Sequence, residues 1–180
     1  MCENLSNCNS NKNKLQYMFG AAIGFSLPTS NEIINEYLLL PYHSSNTHDN
    51  NFYTAPLKPT STTVDGFNTL QISIPITYNQ TIRTVFISVG EYPYRGVYDK
   101  DIIIKIYIYV LSNPLSIATT TGIFITSIKL KANTLFANKI KRVNIDVPIM
   151  AYLYVSYTTD TDINKIPQNF WLNVAMKTIY

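Results

Sequence analysis

The residues that could do chemistry are few and scattered. His43 and His48 are the only imidazoles, and they stand beside Ser44, Ser45 and Asp49 in a stretch rich in proline and small polar groups. A hydrolytic triad needs a nucleophile, a base and an orienting acid within mutual hydrogen-bond reach. No Gly-x-Ser-x-Gly pattern that would lift a serine onto a strand-to-helix turn occurs. The grouping reads as polar surface, and the chain as a protein that is not an enzyme. Asp160-Thr161-Asp162-Ile163-Asn164 begins like an acidic calcium loop, where alternate side chains point at one ion. It departs at the sixth and twelfth positions, where Lys165 and Trp171 stand in place of Gly and Glu. Asp160, Asp162 and Asn164 are at most weak cation candidates, and no metal or other cofactor is expected. The six glycines include none followed by the Lys-Ser/Thr pair of a phosphate cradle.

Cys2 and Cys8 are the only thiols. With five residues between them in a polar segment, they cannot complete a zinc site by themselves. They read either as unpaired thiols on a tail or as candidates for disulfides between subunits. Tyrosine is the more informative residue. It concentrates in the second half of the chain, and Tyr107, Tyr109, Tyr152 and Tyr154 fall on strands whose other face is aliphatic. Tyrosine buries apolar area while its hydroxyl keeps a polar partner, which suits subunit interfaces, core positions and sugar platforms alike. These four are the candidates for an oligomer interface.

The elements that must position these residues are strands. Residues 1–16, polar and Asn-rich without periodicity, read as a flexible arm, and residues 17–180 as one β-sandwich domain. Met18 to Leu27 forms an apolar run, and Glu32 to Leu39 is compatible with a turn or two of helix. Tyr42 to Asp65 reads as a long surface connection. Leu70, Ile72, Ile74 and Ile76 alternate with polar or Pro positions, and a Tyr-Asn-Gln turn leads to Ile82 to Val89, which predicts a hairpin. Ile102, Ile104, Ile106, Ile108 and Val110 alternate with Ile103, Lys105, Tyr107, Tyr109 and Leu111, which predicts a central strand covered on both faces. Further strands are predicted over Ile123 to Lys131, Ile140 to Val147, Ile149 to Tyr157 and Phe170 to Ile179. Eight to ten short strands with no strong helix define an all-β fold, an antiparallel two-sheet sandwich or jelly roll.

Charge bounds the partners. A net charge of +3 and a charged fraction of 14% leave no electrostatic footprint for nucleic acid. Solubility rests on neutral polar groups, which are cheaper to cover than charges and suit a surface that packs against its own copies. No apolar run is long enough for a membrane helix, and the N-terminus lacks the pattern of a conventional secretory signal. An extracellular or particle-surface location would then be reached by lysis, by mother-cell assembly or within a particle.

From about Asn68 onward the layout resembles the C-terminal domain of collagen-like exosporium glycoproteins of spore-forming bacteria, a jelly roll of the tumour-necrosis-factor and complement-head type. The matching pieces are Ile72-Ser73-Ile74-Pro75 with the strand after it, Ile106 to Val110 running into Ser112-Asn113-Pro114, Val143 to Pro148, Ala151 to Tyr157, and the closing strand through Trp171. The collagen-like stalk of that family is absent, and Cys2 and Cys8 stand where it would enter, in which the chain is similar to spore-appendage subunits with a cysteine-bearing arm. The resemblance implies a structural protein of a spore surface that forms trimers or filaments with copies of itself, beside other surface-layer proteins. A viral capsid or minor capsid protein, and a carbohydrate- or receptor-binding head using loops at Tyr92 to Tyr98 and Asp160 to Asn164, are the alternatives the sequence leaves open.

Overall fold

A computed structural model describes residues 16–23, 36–41, 55–56, 63–64, 67–68, 73–91, 99–160 and 170–180. Two antiparallel sheets pack face to face over one core, the arrangement expected of a sandwich of the jelly-roll kind. The strands are β1 (Gln16–Ile23), β2 (Tyr37–Leu38), β3 (Leu40–Pro41), β4 (Ala55–Pro56), β5 (Thr63–Val64), β6 (Phe67–Asn68) and β7 (Ile74–Pro75). They continue with β8 (Gln80–Glu91), β9 (Ile102–Leu111), β10 (Ile123–Leu130), β11 (Phe136–Val147), β12 (Tyr152–Thr159) and β13 (Phe170–Ile179). One sheet runs β11-β8-β13-β1-β3; the other runs β10-β9-β12-β2-β4, with β7 also paired to β12. The short β5 and β6 pair with each other.

The long strands form where the alternation predicts them. Ile102, Ile104, Ile106 and Ile108 are fully buried on the core side of β9, facing Ile82, Val85, Ile87 and Val89 from β8 within one cluster. Each such side chain contributes roughly 1.5–3 kcal/mol when removed from water. Leu153, Val155 and Tyr157 of β12 and Phe170, Leu172, Val174 and Met176 of β13 complete the core, with Tyr37 stacked on Tyr157 at 5.6 Å. β9 is covered on both faces, as its double alternation predicts: Tyr109 and Leu111 on its outer face belong to a second, smaller cluster.

Two expectations are corrected. The segment ending at Leu39 is extended where described: Tyr37–Leu38 pairs with β12, Leu39 N–H donates to the Val155 carbonyl, and Leu40–Pro41 pairs with β1. This short apolar run gives Tyr37 and Leu39 to the core while passing from one sheet to the other, a tertiary demand that outweighs helix propensity. Likewise β7 and β8 are not a hairpin. β7 pairs with β12 and β8 with β11 and β13, so the turn between them crosses between sheets. Pro75 lacks the N–H that a second partner strand would need. The chain past it is tied instead to the turn after β11, through Ile76 N–H to Ala151 O at 2.9 Å and Met150 N–H to Ile76 O at 2.8 Å. Gln16, which the sequence places at the end of the arm, is the first residue of β1 and pairs with Lys177.

Candidate assembly surface

Residues directly opposite in antiparallel strands share a face. The register of the five-stranded sheet therefore sorts its outer face into transverse rows. Ile140 of β11, Phe86 of β8, Ala175 of β13 and Met18 of β1 form one row, and Phe136, Gly90 and Trp171 another. Between them lie Asn138, Ser88, Asn173 and Gly20, and beyond the first lie Arg142, Thr84, Lys177 and Gln16. Phe136 is 63% exposed and Ile140 66%, and Phe86 and Met18 are exposed as well. Nothing among the described residues covers them. Gly90 has a specific task in this face: a Cβ there would lie 2.7 Å from the Trp171 ring and from the Leu135 carbonyl oxygen. Only a residue without a side chain lets the indole lie down against the sheet.

β11 has an inverted pattern in its first half. Lys139 and Lys141 lie opposite Ile87 and Val85 on the core side of the sheet, while Phe136 and Ile140 point outward. The lysines are tolerated because β11 is an edge strand. Lys139 reaches across to the facing edge strand and donates to the Ser127 carbonyl of β10 at 2.6 Å. Inward-pointing charge on an edge discourages indiscriminate strand pairing. In the second half Val143, Ile145 and Val147 turn to the core. Arg83 donates to Asn144 and Thr81 to Asp146 on the outer side, the latter at 2.9 Å.

The outer face of the other sheet holds the predicted tyrosines. Tyr109 is 3% exposed and Tyr154 fully buried, packed with Leu38, Leu111 and Ile117. Ile117 comes from a 3-10 turn, Pro114–Thr119, which starts where the Asn113 side chain accepts from Leu115 N–H. Gly122 passes directly over Tyr109, since a Cβ there would lie 2.7 Å from its ring. Glu36 accepts hydrogen bonds from the Tyr109 hydroxyl, at 2.7 Å, and from Ser156. Burial, and then the Glu36 carboxylate beside it, pushes the Tyr109 phenol far above its ordinary range; burial takes Tyr154 up to about 12, with a Ser73 hydrogen bond opposing. Tyr107 and Tyr152 are half-buried at the margin, Tyr107 against Phe124 at 5.6 Å. Of the four tyrosines, these two retain area for a partner; Tyr109 and Tyr154 spend theirs inside the chain.

The remaining candidates are quickly placed. Cys2, Cys8, His43, His48, Asp162, Asn164 and the loop at 92–98 lie outside the described residues. Asp160 is described, and its carboxylate pairs with Lys105 at 2.7 Å, which holds the lysine above its usual value. Among the described residues no three His, Cys, Asp or Glu side chains converge, and no helix is long and apolar enough to cross a membrane. Asp101 accepts from Lys129 and from Ala132 N–H, which lowers its pKa. The outward rows of Phe86, Phe136, Ile140 and Trp171 were not singled out by sequence reasoning. The signal for them was present in β11, where the apolar residues Phe136 and Ile140 alternate with lysines, but alternation does not say which face is inside.

No protein-family model matches this chain, and no curated protein matches it. Among solved structures it is similar to the one titled "Structure of infectious bursal disease virus Gx strain", at 13% identity and a TM-score of 0.35. The match takes in 100% of this chain and 36% of that one, so the chain spans about a third of its length.

Proposed function

We propose that this protein is a non-catalytic structural subunit that assembles with copies of itself on a surface, of a bacterial spore in the first instance. The observation that carries assembly is the exposed apolar patterning of the five-stranded sheet. Isolated apolar residues on a surface need no explanation, but Phe86, Phe136, Ile140 and Met18 share one sheet face with Trp171. Large aromatic residues set among neutral polar ones suit a protein interface. The edge strand β10 carries exposed Ile123 and Phe124 on a different part of the surface. A face on one copy meeting an edge on the next is a heterologous contact, which closes into a ring or extends into a filament. The spore location rests on the resemblance of the strand layout to exosporium glycoproteins, and a cysteine-bearing arm would add a covalent tie.

Sedimentation velocity and electron microscopy of the full chain, with and without reductant, test the reading. Trimers or filaments are expected, with larger covalent species that shrink under reductant. A chain that stays monomeric at every attainable concentration overturns assembly. Closed shells move the protein to a capsid. If Cys2→Ser/Cys8→Ser assembles and resists heat like the parent, the covalent tie is wrong while the face contact stands.

A further inference from the structure

At one end of the sandwich a groove of about 600 Å³ opens between the start of β8, the end of β11 and the end of β13. That volume suits a small ligand. Its walls combine Asn79, Thr81 and Asp146 with Pro148, Ile179 and Tyr180. Beside it the exposed rings of Tyr78 and Tyr180 stack at 5.7 Å with 13° between their planes. The polar groups are held from behind. Thr81 donates to one Asp146 carboxylate oxygen at 2.9 Å, which leaves the other oxygen to accept elsewhere. Asn79 Oδ1 accepts from Ile149 N–H at 2.8 Å, which fixes the amide and leaves its NH₂ group to donate.

The loop supplying that N–H is itself tightly set. Ala151 N–H donates to Pro148 O at 3.2 Å, and Met150 adopts φ 66° while 80% exposed. A left-handed methionine costs roughly 1–2 kcal/mol where glycine would cost none. That conformation completes the turn from Pro148 to Ala151 and holds Ile149 N–H against Asn79.

We infer that this groove binds a neutral saccharide, one sugar ring lying against Tyr180 with a pair of hydroxyls on Asp146 and Asn79. A sugar has the two features the groove addresses: an apolar C–H face for an aromatic ring, and adjacent hydroxyls that donate to a carboxylate and accept from an amide. Among the described residues that line the groove, Asp146 carries the one acidic side chain and none is cationic. An acidic sugar would meet repulsion, and a divalent cation would lack ligands. Pre-positioned polar groups lower the ordering cost of binding. The groove lies on the same sheet as the proposed assembly rows, at the opposite end from Phe136, Gly90 and Trp171, where Asp146, Thr81 and Ile179 stand opposite one another, and it shares no residue with those rows.

The test is saturation-transfer NMR on the full chain against a panel of neutral methyl glycosides (glucose, galactose, mannose, N-acetylglucosamine), with sialic acid as the anionic comparison. At least one neutral glycoside should receive transfer, mainly at ring C–H protons. Tyr180→Ala and Asp146→Asn should each weaken it about tenfold, and Tyr180→Phe should retain it. Both positions are exposed, so thermal melts should match the parent. Transfer to none of the neutral glycosides, equal transfer to sialic acid, or binding that survives either weakening substitution unchanged overturns the inference.

Discussion

The two outer faces of the sandwich solve the same problem in opposite ways. The six-stranded sheet carries a tyrosine-rich face and covers it with its own chain: Ile117 from the 3-10 turn, the backbone at Gly122 and the Glu36 carboxylate close over Tyr109 and Tyr154. The five-stranded sheet carries Phe86, Phe136, Ile140 and Trp171 and leaves the first three exposed. A face that folds under its own turn contributes to the stability of one molecule. A face left open retains the same kind of apolar area, which a second molecule would cover under the proposed assembly. The difference teaches that side-chain type does not say whether an aromatic face is closed over or left exposed; the path of the connecting segments does.

The largest break in this comparison comes from Tyr154→Ala. Removing a fully buried aromatic side chain from the smaller cluster should cost about 3–5 kcal/mol in chemical unfolding. If the loss stays under about 1 kcal/mol, the size of an ordinary surface change or slightly more, the cluster is not a second core. Gly90→Ala comes next. The new methyl must displace the Trp171 ring or the strand, at about 1–3 kcal/mol. Trp171 is the only tryptophan, so its fluorescence reports the displacement directly.

The buried phenols add a pH signature to the covered face. Tyr154 ionises at about 12 in the folded chain against an ordinary 10.0, so its neutral form is the one the fold favours. That contribution is fully present below pH 10 and is lost as pH rises through about 12. Unfolding titrations should show stability falling above pH 10, with tyrosinate absorbance rising late for part of the population. Tyr154→Phe should flatten the alkaline fall; an unchanged profile would assign it to other groups.

How much of this was legible in sequence follows from what alternation encodes. β8, β9, β10, β12 and β13 were readable because apolar residues, aliphatic in β8 to β10 and mixed with aromatics in β12 and β13, recur at close to every second residue, and a buried face enforces that period. The sandwich class followed. The pairing of β7 was not readable, because a turn looks the same whether its strands join one sheet or two. The exposed face proposed for assembly was half readable. Phe136 and Ile140 alternate with Lys139 and Lys141, but the expectation that apolar residues face inward assigns them to the core. Lys139 can point inward only because β10 offers Ser127 O across the open edge, and no local pattern contains that contact. The end groove is least legible of all, since Asn79, Asp146 and Tyr180 meet only after three strands converge.

Ile140→Lys sharpens the comparison with the least disturbance to the fold. Ile140 is two-thirds exposed on an edge strand and touches no core cluster, so its replacement should change stability by no more than about 0.5 kcal/mol. In the assembled state the same lysine would be desolvated against another copy, which costs far more than its exposure in the single molecule. The expected result is an unchanged melt measured at low protein concentration, together with loss of the associated species in sedimentation velocity. A variant that melts normally and still associates would remove Ile140 and its row from the interface, and the contact would have to be sought at Phe124 and Tyr107 on the opposite sheet. A variant that unfolds would show instead that β11 depends on its outward face for its own stability, and that the two faces differ less than their exposure implies.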